Sequence, residues 1–150
     1  MIPAIQYRKA DNLDIPAMAK IRSAEWGEEE YWNIRITGYM NGELHPHLAL
    51  LPRIMYVALN GKTVIGFIAG HLTRRFECEA ELQWINVAVE YRLKGIASEL
   101  LRLLATWFVE QNAFRVCVDP DDEQFYKKNG AQHLNDHWMV WENIGNVLKK

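Results

Sequence analysis

Glu81-Leu82-Gln83-Trp84-Ile85-Asn86-Val87-Ala88-Val89-Glu90-Tyr91-Arg92-Leu93-Lys94-Gly95-Ile96-Ala97 is the stretch that decides the fold. Its first half, Glu81 to Val89, reads as a strand. From Gly95 to Gln111 the pattern changes to a helix, with Ile96, Leu100, Leu103, Leu104, Trp107 and Phe108 on one side. Phe114 to Val118 reads as the next strand. A strand, a helix and a strand in this order make a crossover, which joins parallel strands. The turn between the first strand and the helix suits an anion. The N–H groups of a helix's first turn point outward together, Gly95 has no side chain to block their approach, and Ala97 is nearly as small. Arg92 and Lys94 add positive charge, so a diphosphate fits there without a dedicated side-chain cage.

Outward from this unit the remaining elements follow. Ile5 to Arg8 alternates as a short strand, and Asp11-Asn12 caps a helix carrying Ile15, Met18, Ile21 and Ala24. A second helix is expected after Gly27, with Glu28, Glu29 and Glu30 at its positive end and Tyr31, Ile34 and Tyr39 as its apolar stripe. Ile54–Leu59 and Val64–Ala69 read as strands joined by Asn60-Gly61, a hairpin signal because both residues tolerate positive φ. A short helix over Glu123–Lys128 closes at Asn129-Gly130, and His137–Trp141 is the last strand. An antiparallel hairpin beside a parallel crossover makes an α/β (α+β) fold with a mixed central sheet flanked by helices.

Composition narrows the class. At 150 residues, 49% hydrophobic and 24% charged, the chain is sized for one globular domain over 1–150. A net charge of −2 and the lack of a Lys/Arg-rich run argue against a nucleic-acid or anionic-membrane partner. Gln6, Arg8 and Lys9 interrupt any signal-peptide core, and no stretch approaches the roughly 18 apolar residues of a membrane span. Cys78 and Cys117 have neither the number nor the spacing of a disulfide framework or a zinc site, which fits a reducing, cytoplasmic setting. His45-Pro46-His47 lacks a third partner and reads as a polar loop rather than a metal site. Gly61-Lys62-Thr63 lacks the earlier glycine of a P-loop, and Gly95 stands alone where a dinucleotide fingerprint needs three glycines.

Arg92-x-x-Gly95-x-Ala97, lying between that strand and that helix, is followed one strand later by Phe125-Tyr126-Lys127-Lys128-Asn129-Gly130-Ala131. Together they resemble the GNAT superfamily, whose signature is Gln or Arg, two variable residues, Gly, one variable residue, then Gly or Ala. The order of elements is similar over nearly the whole chain. The resemblance implies a GNAT fold and an N-acetyltransferase that uses acetyl-CoA as co-substrate and no metal. It also implies that the pantetheine arm pairs with the strand backbone along Val87, Ala88 and Val89. The diphosphate then sits beside Arg92 on backbone amides of Leu93, Lys94, Gly95, Ile96, Ala97 and Ser98. Tyr126 falls where a tyrosine protonates the departing thiolate, and Glu81, eleven residues before Arg92, where several members carry a glutamate base. Two features depart from the pattern. Val89 replaces a frequent proline, which is harmless if the strand simply continues. Asp119 stands at the asparagine that contacts pantetheine, and Asp122 where a small residue is usual.

These roles match the chemistry. An alkyl amine has a pKa of about 10.4 and arrives as ammonium, so a carboxylate such as Glu81, with Glu77 and Glu79 as competitors for the role, is useful for removing its proton. Attack on a thioester creates an oxyanion for a strand N–H to stabilise, and a phenol can protonate the leaving thiol, whose pKa is roughly 8.5 if it resembles cysteine. The acceptor is left open as a small-molecule or peptide amine, and the oligomeric state is open too, a homodimer included. The acidic run Glu28–Glu30 reads most simply as a solvated helix start; in this family the region borders the acceptor groove, where acid would favour a cationic acceptor. Trp26, Tyr31, Trp32 and Tyr39 are read as packing residues rather than groove walls. Two alternatives stand beside the enzyme: a module of the same fold that holds an acyl-CoA without turnover, and an interaction domain that binds no coenzyme.

Overall fold

A computed structural model describes residues 4–149. The chain enters as β1 (Gln6–Lys9), then turns through a short 3-10 segment, Asn12–Asp14, into α1 (Ile15–Ser23). Asp11 caps this start: its carboxylate accepts from Leu13 N at 2.8 Å, and Asp14 returns the bond from Asp11 N at 2.8 Å. Arg8 grips Asp14 with two bonds of 2.7 and 2.9 Å, which fastens α1 to the first strand. α2 (Glu29–Met40) follows. Its buried stripe is Trp32, Ile36 and Tyr39, while Tyr31 and Ile34 are 51% and 63% exposed. The helix is therefore turned from the expected stripe, because Trp32 and Tyr39 both reach Trp84, with ring centroids 5.8 and 5.0 Å apart.

β2 (Ala49–Asn60) and β3 (Thr63–Thr73) form the hairpin, with Gly61 at φ +63° in its turn. β4 (Ala80–Val87), α3 (Ile96–Glu110) and β5 (Val116–Val118) make the crossover, followed by α4 (Glu123–Lys128), β6 (Gln132–His133) and β7 (Met139–Trp141). The strands lie in the order β1-β2-β3-β4-β5-β7-β6, and only β4 and β5 are parallel neighbours. The sheet is mixed, as the hairpin and crossover require. β6 and a closing 3-10 segment, Ile144–Lys149, were not legible in the sequence. β4 stops at Val87, and Val89–Tyr91 is a 3-10 turn, so the strand does not continue through Val89 as expected. No described helix is long and apolar enough to cross a membrane.

Each face of the sheet has its own core. α3 lays Ile96, Leu100, Leu104 and Phe108 against Ile65, Ile68, Leu82 and Val87. On the other face α1 and α2 cover Val57, Phe67, Ala69 and Trp84. β4 therefore contributes to both, and a bulge makes the change: Ala69 pairs with Trp84 but Gly70 with Leu82, leaving Gln83 as the extra residue. β5 pairs with β4 at only three positions, Ala80 to Leu82. Beyond them β4 runs on while the chain after Val118 turns away through Asp119-Pro120, and a cleft opens between the two.

α3 can approach the sheet closely because Gly70 has no side chain. A Cβ there would stand 2.7 Å from Phe108 Cζ and 2.8 Å from Leu104 Cδ1. Both neighbours are locked in the core, so Gly70→Ala should lower stability by about 1–3 kcal/mol, measured by denaturant unfolding. A variant as stable as the parent would mean that α3 yields at this contact.

Candidate functional site

The cleft holds a cavity of about 640 Å³. Ile85, Asn86 and Val87 of β4 form its floor, and the start of α3 forms one wall through Leu93 and Gly95–Ser98. Asp121, Asp122, Phe125 and Tyr126 form the opposite wall, and Glu25 and Trp26, from the α1–α2 connection, border the remaining side. The floor is a bare strand edge. Val87 O accepts from Arg92 Nε at 3.0 Å, so it faces the cleft, and strand alternation turns Ile85 N–H and C=O the same way.

One end has a geometry that suits negative charge. Gly95 caps α3 in the left-handed region at φ +82°, Leu93 precedes it at φ +62°, and a Cβ on Gly95 would meet nothing within 4 Å. The first-turn amides of a 15-residue helix thus open onto the cavity without a side chain in front of them. Arg92 stands beside them, bridging Val87 O and the Glu25 carboxylate. That contact ties the helix-start wall to the Trp26 loop.

The other end is aromatic and acidic. Tyr126 is 2% exposed, and its ring packs edge-on to Trp141 and Phe125. Its hydroxyl points to Asp121, donating a long bond of 3.5 Å to Oδ1. Burial, then the Asp121 charge, pushes the Tyr126 phenol well above its ordinary range, so it is protonated at neutral pH. Asp121 is exposed on the cavity side, and partial desolvation raises its carboxyl even though Arg22 pulls the other way. Arg22 is held by Trp26 and Trp32, 4.3 and 4.7 Å from its guanidinium carbon, and donates to Asn86 Oδ1 at 2.5 Å.

Of the expected site residues, Val87, Arg92, Leu93, Gly95, Ile96, Ala97, Ser98 and Tyr126 line this one cavity. Ala88, Val89, Lys94 and Asp119 do not. Val89 and Lys94 project outward from the turn after β4, and Asp119 is exposed where the chain leaves β5. Glu81 is also outside it. It sits opposite Cys117 in the stretch where β4 and β5 are still paired, before the cleft begins, and is 4% exposed. Its carboxylate lies 3.3 Å from Arg75 Nε and 3.5 Å from His71 Nε2, and Tyr39 OH meets His71 Nδ1 at 2.8 Å. Glu25, Trp26, Asn86 and Asp121 are wall residues that sequence reasoning missed. Trp26, read as packing, lines the cavity, whereas Trp32 and Tyr39 do pack. His45 meets Arg53, and among the described residues no group of three His, Cys, Asp or Glu side chains is placed to hold a metal.

A model of the acetyltransferase (GNAT) family matches residues 15–131. Among solved structures, the chain is similar to an aminoglycoside 6'-acetyltransferase type Ii at 20% identity, covering 93% of this chain and 97% of that one, with a TM-score of 0.71. It is also similar to the PaiA N-acetyltransferase of Thermoplasma acidophilum, solved in complex with coenzyme A, at 17% identity, 93% and 99% coverage and a TM-score of 0.68. A GNAT family acetyltransferase of Brucella melitensis, in complex with acetyl-CoA, gives 16% identity, 91% and 86% coverage and a TM-score of 0.68. At these identities the likeness is one of fold. No curated protein matches the chain.

The enclosed phenols make one property of the site measurable. Burial raises Tyr39 as well as Tyr126, so the folded protein holds both protons more tightly than the unfolded chain does. Their contribution to stability is full below about pH 10 and is lost as pH rises beyond it. Absorbance titration of the native protein to about pH 11 should not detect Tyr126, and Tyr126→Phe should leave the native curve unchanged. A phenolate signal that disappears in this variant would place Tyr126 in contact with solvent.

Proposed function

The chain belongs to the acetyltransferase (GNAT) family, and on that premise we propose that it moves the acetyl group of acetyl-CoA directly to a primary amine. It is an acyltransferase. The observation that carries the finer reading is the meeting, in one cavity, of a free strand edge, a helix start and a buried phenol.

Each part has a task in that reaction. The Ile85–Val87 edge offers backbone partners to the amides of a pantetheine arm. Leu93 and the α3 start receive the diphosphate, with Arg92 adding charge. The Ile85 N–H stabilises the oxyanion formed when the amine attacks the thioester. Tyr126, whose side chain lines the cavity, then donates its proton to the departing thiolate. Direct transfer is favoured over an acyl-enzyme because neither cysteine is available as a nucleophile: Cys78 and Cys117 are 3% and 0% exposed and lie outside the cavity. The acid at the reacting end, Asp121 with Asp122 beside it, favours a cationic acceptor.

A panel of amines with detection of free thiol tests the reading, and a wild-type protein that releases no thiol with any amine would sink it. Gly95→Glu should abolish coenzyme A binding in calorimetry while circular dichroism shows a folded protein, because a carboxylate then fronts the α3 amides. Gly95→Asn, which tolerates the left-handed backbone, should still bind. Tyr126→Phe should retain coenzyme affinity but lose roughly 10²–10⁴-fold in kcat when thioester breakdown limits the rate. Full activity in an assay limited by chemistry would remove Tyr126 from the acid role.

A further inference from the structure

We propose that Asp121 anchors the acceptor's ammonium group and takes its proton, and that the acceptor is therefore an alkyl amine presented as a cation. The proposal rests on the acetyl-transfer reading and names the base within it. Three observations place Asp121 there. It lines the cavity and opens to it, whereas Glu81 is buried against Arg75 and His71 beyond the cavity wall. Its Oδ1 lies 3.5 Å from the hydroxyl of Tyr126, so a carboxylate and a phenol, the two groups an acyl transfer needs, share one end of the cleft. Arg22, fixed by two tryptophans and by Asn86, lies close enough to Asp121 to favour its ionised form, the form that accepts a proton.

The charges around Asp121 set its behaviour. Arg22 from α1 favours its ionised form, while Asp122 in the same loop opposes it, and Tyr126 faces it from α4. Desolvation leaves the carboxylate more basic than one in water, which narrows its gap to an amine of pKa about 10.4.

The proton accounting closes. An ammonium R–NH3+ loses two protons on becoming R–NH–COCH3. The first passes to Asp121 and frees the lone pair that forms the C–N bond. As the C–S bond breaks, Tyr126 delivers a proton to the thiolate, and its phenolate is reset by the proton held on Asp121, whose Oδ1 lies 3.5 Å away. The second nitrogen proton leaves through the recharged Asp121 to solvent, so the products are the amide, the free thiol and one released proton.

The test measures kcat/KM for an alkyl amine at saturating acetyl-CoA from about pH 6 to pH 9.5, in wild type, Asp121→Asn and Glu81→Gln, with coenzyme A affinity measured by calorimetry. Asp121→Asn should lose roughly 10²–10⁴-fold at pH 7 and recover by up to roughly tenfold per pH unit as solvent deprotonates the amine, with coenzyme affinity unchanged. Wild-type activity in Asp121→Asn, a loss that stays constant with pH, or the same pH-recovering loss in Glu81→Gln would each overturn the assignment. Wild type that binds coenzyme and turns over amine alongside an unaffected Asp121→Asn removes this proposal alone. Wild type that releases no thiol with any amine removes the transfer reading and this proposal together.

Discussion

β4 and β5 share a ladder only from Ala80 to Leu82, and the site exists because that ladder stops. A parallel pair that stayed in register would have used the inner edge of β4 for hydrogen bonds to β5. Instead, Gln83 bulges on one side and Asp119-Pro120 carries the chain away on the other, so β4 has no partner strand on that edge from Ile85 to Val87. The two helices that flank the parting, α3 and α4, then face each other across the opening, with the start of one and the Tyr126 side of the other turned inward.

The same parting explains why two separate cores meet in one strand. Leu82 and Val87 pack under α3, while Trp84 packs under α1 and α2. The bulge lets β4 serve both faces within a few residues. Arg22 and Trp26 are brought to the cavity by the α1–α2 side, and Gly95–Ser98 by the α3 side.

Much of the architecture was legible because the relevant signals are local. Asn60-Gly61 specifies its hairpin through backbone freedom, and the strand-to-helix turn ending at Gly95 specifies the crossover. The stripe of α2 was misjudged because Tyr31, Ile34 and Tyr39 are as apolar as Trp32, Ile36 and Tyr39. Only the tertiary contact with Trp84 decides between them. β6 is two residues long and depends on its pairing with β7, a cue no local pattern carries. In the cavity, the glycine-bearing turn could be read from spacing, and Tyr126 from the family resemblance of its segment. Glu81 was placed correctly on its strand, but whether a side chain on that strand reaches the cavity depends on where β5 departs. Asp121 was hidden for the complementary reason, since its position is set by how the chain leaves β5 and not by any pattern within the loop.

An unpaired strand edge is elsewhere a hazard, because another chain can add to it and begin aggregation. In this protein the open edge of β4 is recessed between two helices, with Arg92 already engaging Val87 O at its rim. A whole β-strand arrives with side chains on both faces and neighbours on its far edge, and is too broad for such a slot. A single thin chain of amides is not. The recess thus works against another sheet adding to this edge, while a slender chain has room to reach it.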